Sequence, residues 1–342
     1  MTTSREPLRL PGFVNAHSHT FQRGLRGRTE AGDFWAWREV MLDEAEGQTP
    51  ERVREDYALA YGEMLAAGYV AVGEFHYLGL ETARAAGEAA AEAGLELVLL
   101  YVAYARGGRE LMRQASAAEY LRQVEALREA GLRVGVAPHS VRACPRDWLE
   151  EIGRYAESER LVLHVHAGEQ RREVEECEAE HGVRPIELLA LAGCIGPHAT
   201  VIHATHADDS ELDLLGEAGA RVCLCPTTEA NLGDGFAPVE RLLERGIGLC
   251  FGTDSNVRID PLEELREVEG VARRQAERRN VIPVETLLCY GSDEGAAALG
   301  LQEPPREIEI DLEHPSLRGV EEGDVHAALV FSSSADSVRP AR

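Results

Sequence analysis

The sequence predicts a (β/α)8 barrel, and three observations carry the prediction. Eight short runs rich in apolar and β-branched residues alternate with Ala/Leu/Glu/Arg-rich segments of helical period. Together the eight units occupy about 250 residues, the usual size of such a barrel. His19, His76, His139, His166, His203 and Asp254 fall at or near the C-terminal ends of six different runs, the face on which barrels of this kind do chemistry. An open doubly wound sheet would gather its chemistry at one switch point beside a glycine-rich turn, and the sequence has no such turn.

In chain order the predicted strands are GFVNAHSH (12–19), YVAVGEFHY (69–77), LELVLLYVAY (95–104) and LRVGVAPHS (132–140). LVLHVHAGE (161–169), ATVIHATH (199–206), ARVCLCPTT (220–228) and IGLCFGTDS (247–255) follow. Near-continuous apolar runs of this kind suit parallel strands covered on both faces. TPERVREDYALAYGEMLAAG reads as the first covering helix, with Thr49 as N-cap, Pro50 at the first helical position and Gly68 as stop. AAEYLRQVEALREAG, CPRDWLEEIGRYAES and DDSELDLLGEAG repeat the pattern, and two more helical segments follow the last strand. The tail carries two strand-like pieces, around 307–311 and 326–331. The division expected is a short N-terminal remnant (1–10), the barrel (11–302) and a C-terminal remnant of a small β domain (303–342).

Composition narrows the chemistry. Sixty acidic against 35 basic residues give a net charge of −25, which disfavours nucleic acid and anionic membranes as partners. No apolar run reaches the length of a membrane span and the first residues lack a signal-peptide pattern, so a cytoplasmic location is expected. Every basic side chain is arginine; with no lysine, Schiff-base, Walker-A and carboxylated-lysine chemistries are excluded. The seven cysteines are irregularly spaced and suit a reducing compartment, with Cys223 and Cys225 read as strand packing.

Residues two apart on a strand share a face, so His17 and His19 point together into the barrel mouth. His166, His203 and Asp254 end later strands, and four imidazoles with a carboxylate on one rim point to a divalent metal. Zinc suits this donor set best, with iron and manganese also compatible, and the missing lysine favours one ion over a lysine-bridged pair. Glu169, just past His166, is placed to move a proton for a metal-activated water, and it also suits the start of the following helix. His139, Arg142, Tyr77, Gln22 and Arg23 complete the expected rim, Arg142 being suited to a bidentate grip on a carboxylate. FWAWRE (34–39) is either an aromatic loop anchor or a substrate contact. His164, one pleat below His166, is expected to support the site from behind, and His181, His198, His314 and His326 to lie at the surface.

PGFVNAHSH, HVHAGEQ, VIHATH and GTDS resemble the metal motifs of the amidohydrolase superfamily. HSHTFQRGLRGRTE, FWAWREVM, GEFHYL, APHSVRA, TTEANLGDG and GTDSNVRIDPLEELR resemble, more closely, its formimidoylglutamate deiminase family, over most of Pro11 to Arg266. The resemblance implies a barrel of the metal-dependent hydrolase type. It also implies zinc on His17, His19, His166 and Asp254, His203 acting on the water, and Glu169 as proton shuttle. Substrate contacts would fall on Gln22, Arg38, Tyr77, His139 and Arg142. The implied reaction is hydrolysis of the amidine of N-formimino-L-glutamate, a dicarboxylate of histidine degradation, to N-formyl-L-glutamate and ammonia. A homodimer is a further expectation. Sixteen residues precede His17, fewer than in family members, and Asn256 stands where the family often has histidine. The alternatives are a deaminase of another substrate, such as a guanine-like heterocycle, and a non-catalytic scaffold. The scaffold would have shed ligands that are all present here.

Overall fold

In the computed structural model, which describes residues 6–341, the eight predicted runs all become strands. Residues 1–5 of the expected N-terminal remnant lie outside the described residues. A short strand β1 (Leu8–Pro11) is followed by the barrel strands β2 (Phe13–Ser18), β3 (Tyr69–His76), β4 (Glu96–Ala103) and β5 (Val134–Pro138). Next come β6 (Leu163–Ala167), β7 (Ala199–His203), β8 (Arg221–Leu224) and β9 (Gly248–Phe251). β2 to β9 pair in consecutive parallel order. They are buried almost throughout, which is why the sequence shows runs rather than alternation.

The barrel nearly closes where β9 returns to β2. Ser18 bridges Asp254 in parallel register, the His19 N–H donates to the Asp254 carbonyl at 2.8 Å, and the Asp254 N–H donates to the His17 carbonyl at 3.0 Å. Gly252 permits this approach: a Cβ there would lie 2.5 Å from the His17 carbonyl oxygen. Closure therefore sets Asp254 directly beside the two strand-one histidines. Below them the lumen is filled by small side chains, including Ala16, Cys223, Cys225 and Cys250, as expected for the cysteines. The His164 Nε2–H donates to the Ala298 carbonyl (2.9 Å) and so anchors the floor, with no hydrogen bond to a site residue.

The covering helices begin with the caps the sequence shows. Thr49 accepts from the Arg52 N–H at the start of Pro50–Ala66, Ser116 caps Ala117–Glu129, and Asp208 with Glu211 forms a capping box on Asp209–Ala218. β10 (Glu307–Ile310) and β11 (Val338–Pro340) complete a three-stranded antiparallel sheet with β1, in the order β1-β10-β11. The strand expected at 326–331 is instead a helix, Val325–Ser332. A short apolar run does not distinguish the two by period. Packing decides: the segment lies against helices Pro261–Ala276 and Val284–Gly291, and Arg266 donates to the Val330 and Ser333 carbonyls at its C-terminal end. Among the described residues no helix is long and apolar enough to cross a membrane.

Candidate active site

The chemistry collects at the C-terminal ends of the barrel strands. β2 presents His17 and His19, β6 presents His166, and the turn after β9 presents Asp254, with one donor atom from each within 4.8 Å of the others. His166 Nε2 lies 3.1 Å from His17 Nε2 and 3.4 Å from His19 Nε2, while Asp254 Oδ1 lies 3.4 and 3.3 Å from the same two nitrogens. Metal–nitrogen bonds of 2.0–2.1 Å in a tetrahedron separate donors by about 3.3–3.4 Å, so this spacing fits one zinc-sized ion. The His166 Nδ1–H donates to the His139 carbonyl at 3.2 Å, which turns Nε2 toward the cluster.

Electrostatics agree with the donor set. Burial holds the pKa of His17 and His166 well below the usual imidazole value and that of His19 at about 3, so all three are neutral ligands. Burial pushes Asp254 up to about 7 despite the opposing effect of the nearby His203, a cost that a divalent ion would offset. Asp254 is held in the left-handed region at φ 45°, with its carbonyl accepting from the Asn256 side chain at 3.0 Å.

A second layer carries protons and charge. His203 ends β7 at φ 73° with its ring fully buried, and its Nε2 has no hydrogen-bond partner. That nitrogen lies 3.8 Å from Glu169 Oε1 and 3.7 Å from Asp254 Oδ2. The carboxylates Glu169, Glu229 and Asp254 around it raise the His203 pKa to about 10 against the opposing effect of burial. Arg142 stands between Glu169 (3.7 Å) and Glu173, its buried Nε lying 4.0 Å from Glu173 Oε1 without a hydrogen bond. Glu173 fixes the loop by accepting from the Glu169 N–H at 3.2 Å.

Above these groups lies a small cavity of about 40 Å3. Gln22, Arg38, Tyr77, His139 and Arg142 all line it, as do His19, His166, Glu169 and Asp254. Helix Phe34–Glu46 roofs it with Phe34, Trp37 and Arg38, and Trp35 stacks outside under the Arg172 guanidinium at 4.3 Å. FWAWRE thus both anchors the loop and faces the cavity. Gln22 Nε2 donates to the Tyr77 hydroxyl at 3.0 Å, leaving Gln22 Oε1 buried without a partner.

The Amidohydrolase family model matches residues 8–304. The chain is 36% identical over 299 residues to formimidoylglutamate deiminase of Pseudomonas aeruginosa, covering 79% of this chain and 66% of that protein. It is 30% identical over 340 residues to 5-methylthioadenosine/S-adenosylhomocysteine deaminase of Haloarcula marismortui, covering 95% of this chain and 78% of that one. The crystal structure of an amidohydrolase from Brucella melitensis superposes with a TM-score of 0.87 at 32% identity, over 98% of this chain and 83% of that one. This chain belongs to the amidohydrolase family.

The family and the four-donor cluster together make it a metal-dependent hydrolase of C–N bonds. Two expected rim residues of this amidohydrolase lie elsewhere. His76 points outward, between Tyr57 (3.5 Å) and Thr82 (3.0 Å) of the helical layer, while its neighbours Phe75 and Tyr77 face the lumen. Adjacent strand residues cannot share a face, so Tyr77 inward requires His76 outward. Arg23 pairs with Glu63 at 2.7 Å on helix Pro50–Ala66 and does not line the cavity. The sequence reading also gave no role to Glu229 and Asp234, both buried in the TTEANLGDG segment (227–235). Two acidic residues among glycines beside a buried strand end were the available signal.

Proposed function

We propose that this amidohydrolase hydrolyses N-formimino-L-glutamate to N-formyl-L-glutamate and ammonia, using one zinc ion, within histidine degradation. The polarity of the cavity carries this reading. Two buried carboxyl groups, Glu169 and Asp254, line it, and so do two arginines, Arg38 and Arg142. A substrate with a cationic amidine at one end and two carboxylates at the other matches both.

A divalent ion held by His17, His19, His166 and Asp254 supplies a Lewis acid that makes water nucleophilic near neutral pH. Arg142 and Arg38 bind the carboxylates. The Gln22–Tyr77 pair and His139 orient the chain so that the formimino carbon faces Glu169 and His203. Glu169 takes a proton from the attacking water and returns it to the departing nitrogen, and His203 steadies the oxygen that accumulates charge. Water adds to the carbon, the carbon–nitrogen bond breaks, and ammonia leaves with N-formyl-L-glutamate.

A second reading, deamination of a neutral purine nucleoside, draws on the 30% identity to the Haloarcula marismortui enzyme along 95% of the chain. Ammonia release by the zinc-loaded protein from N-formimino-L-glutamate and from 5-methylthioadenosine, with His166→Ala as control, separates the two. Release from the first and not the second is expected. No release from the first with the metal bound would overturn the proposal.

A further inference from the structure

We infer that Glu229 is a positioning residue that fixes the hydrogen of His203 on Nδ1 and so aims Nε2 at the reacting atoms. His203 Nδ1 lies 3.1 Å from Glu229 Oε1, and the Cys225 N–H donates to that same oxygen at 2.9 Å. Cys225 is the residue before helix Pro226–Leu232, on which Glu229 sits, so the carboxylate folds back on the start of its own helix and is held there. That oxygen accepts from the Cys225 N–H on one side and faces His203 Nδ1 on the other, which places the hydrogen of the pair on the ring. Nε2 is then the end of the ring that faces the site. It is buried, unpartnered, and directed between Glu169 Oε1 at 3.8 Å and Asp254 Oδ2 at 3.7 Å.

The ring cannot find this pose by itself. His203 leaves β7 in the left-handed region, where a non-glycine backbone is held only by its surroundings. On its Nδ1 side the structure offers Glu229 as the hydrogen-bond partner. The same segment reaches the proton shuttle from the other side. The Asp234 N–H donates to the Glu229 carbonyl at 3.0 Å, and the Asp234 carboxyl accepts from the side chain of Gln170, next to Glu169. One turn of helix and its following loop thus hold both groups assigned to proton handling.

Glu229→Gln keeps an oxygen able to accept from both Cys225 and His203, whereas Glu229→Ala removes it. Turnover uses N-formimino-L-glutamate and so rests on the proposed function; nitrogen-15 NMR of histidine-labelled, zinc-loaded protein does not. In the wild type, His203 should show a protonated Nδ1 coupled across the hydrogen bond. Glu229→Ala should lose that signature and about 10–100-fold in kcat, with KM and bound zinc unchanged, and Glu229→Gln should recover most of both. If the His203 signature persists in Glu229→Ala, the inference is wrong whatever the substrate. It is equally wrong if kcat falls only together with zinc content, or if Glu229→Gln fares no better than Glu229→Ala. If the wild type does not turn over N-formimino-L-glutamate, the NMR arm alone decides, and the failure belongs to the substrate reading.

Discussion

Replacing Arg142 by glutamine tests the dicarboxylate reading at the point where it differs most from a neutral substrate. The side chain lies 3.7 Å from Glu169, and its buried Nε lies 4.0 Å from Glu173 without a hydrogen bond. A hydrogen bond to a charged group contributes about 1.5–3 kcal/mol. At about 1.4 kcal/mol per tenfold, its loss lowers kcat/KM for N-formimino-L-glutamate by about 10- to 150-fold. Most of this should appear in KM, since the carboxylate is gripped equally before and during reaction. Arg142→Lys, which keeps the charge but not the planar fork, should fall between the two. Steady-state ammonia release, with 5-methylthioadenosine as the neutral comparison, reads the effect. Because Glu173 loses its cation too, folding should be checked by thermal unfolding. A folded, zinc-loaded Arg142→Gln protein with unchanged kcat/KM would refute the argument that this arginine holds a substrate carboxylate.

Removing the metal should abolish ammonia release and lower the unfolding temperature, because the buried His17, His19, His166 and Asp254 then lose their common partner; zinc should restore both. His17→Ala protein should bind well under one ion by elemental analysis, and stoichiometric zinc in that variant would contradict the assigned ligand set. Away from the site, burial pushes Glu74 up from 4.5 to about 7, with the Thr20 N–H and hydroxyl donating to it. Its folded-state pKa is raised, so the unfolded chain ionises first and stability falls as pH rises from about 4.5 to 7, by on the order of 3 kcal/mol. Glu74→Gln removes that term, so its stability relative to wild type, from urea unfolding at matched metal loading, should climb through this window and then level. Parallel curves would show that Glu74 stays ionised in the fold.

The barrel was legible because its signals are local. An apolar run buried on both faces, a cap such as Thr49–Pro50, and polar residues at successive strand ends can each be read from a few neighbouring residues. For the same reason His17 with His19, and the strand-end His166, could be named before their distances were known. With Tyr77 on the rim, parity puts the adjacent His76 on the helical side, and His76 was misplaced because its position at a strand end was read without regard to face. The helix at Val325–Ser332 was misread because its short apolar run becomes helical only against two other helices and the Arg266 side chain.

The sequence by itself determined the eightfold alternation, the donor types of the metal cluster and the chemical classes that a chain without lysine cannot use. Only the tertiary structure decided how those donors meet. Closure of β9 onto β2 across Gly252 brings Asp254 within 3.4 Å of His17, although 236 positions separate them in the chain. The partnership of Glu229 with His203, and the meeting of Glu169 and Asp254 with Arg38 and Arg142 around one cavity, arise in the same way. Electrostatic and hydrogen-bond energies depend on distance and burial, and for residues on different strands those are set by how the whole barrel packs.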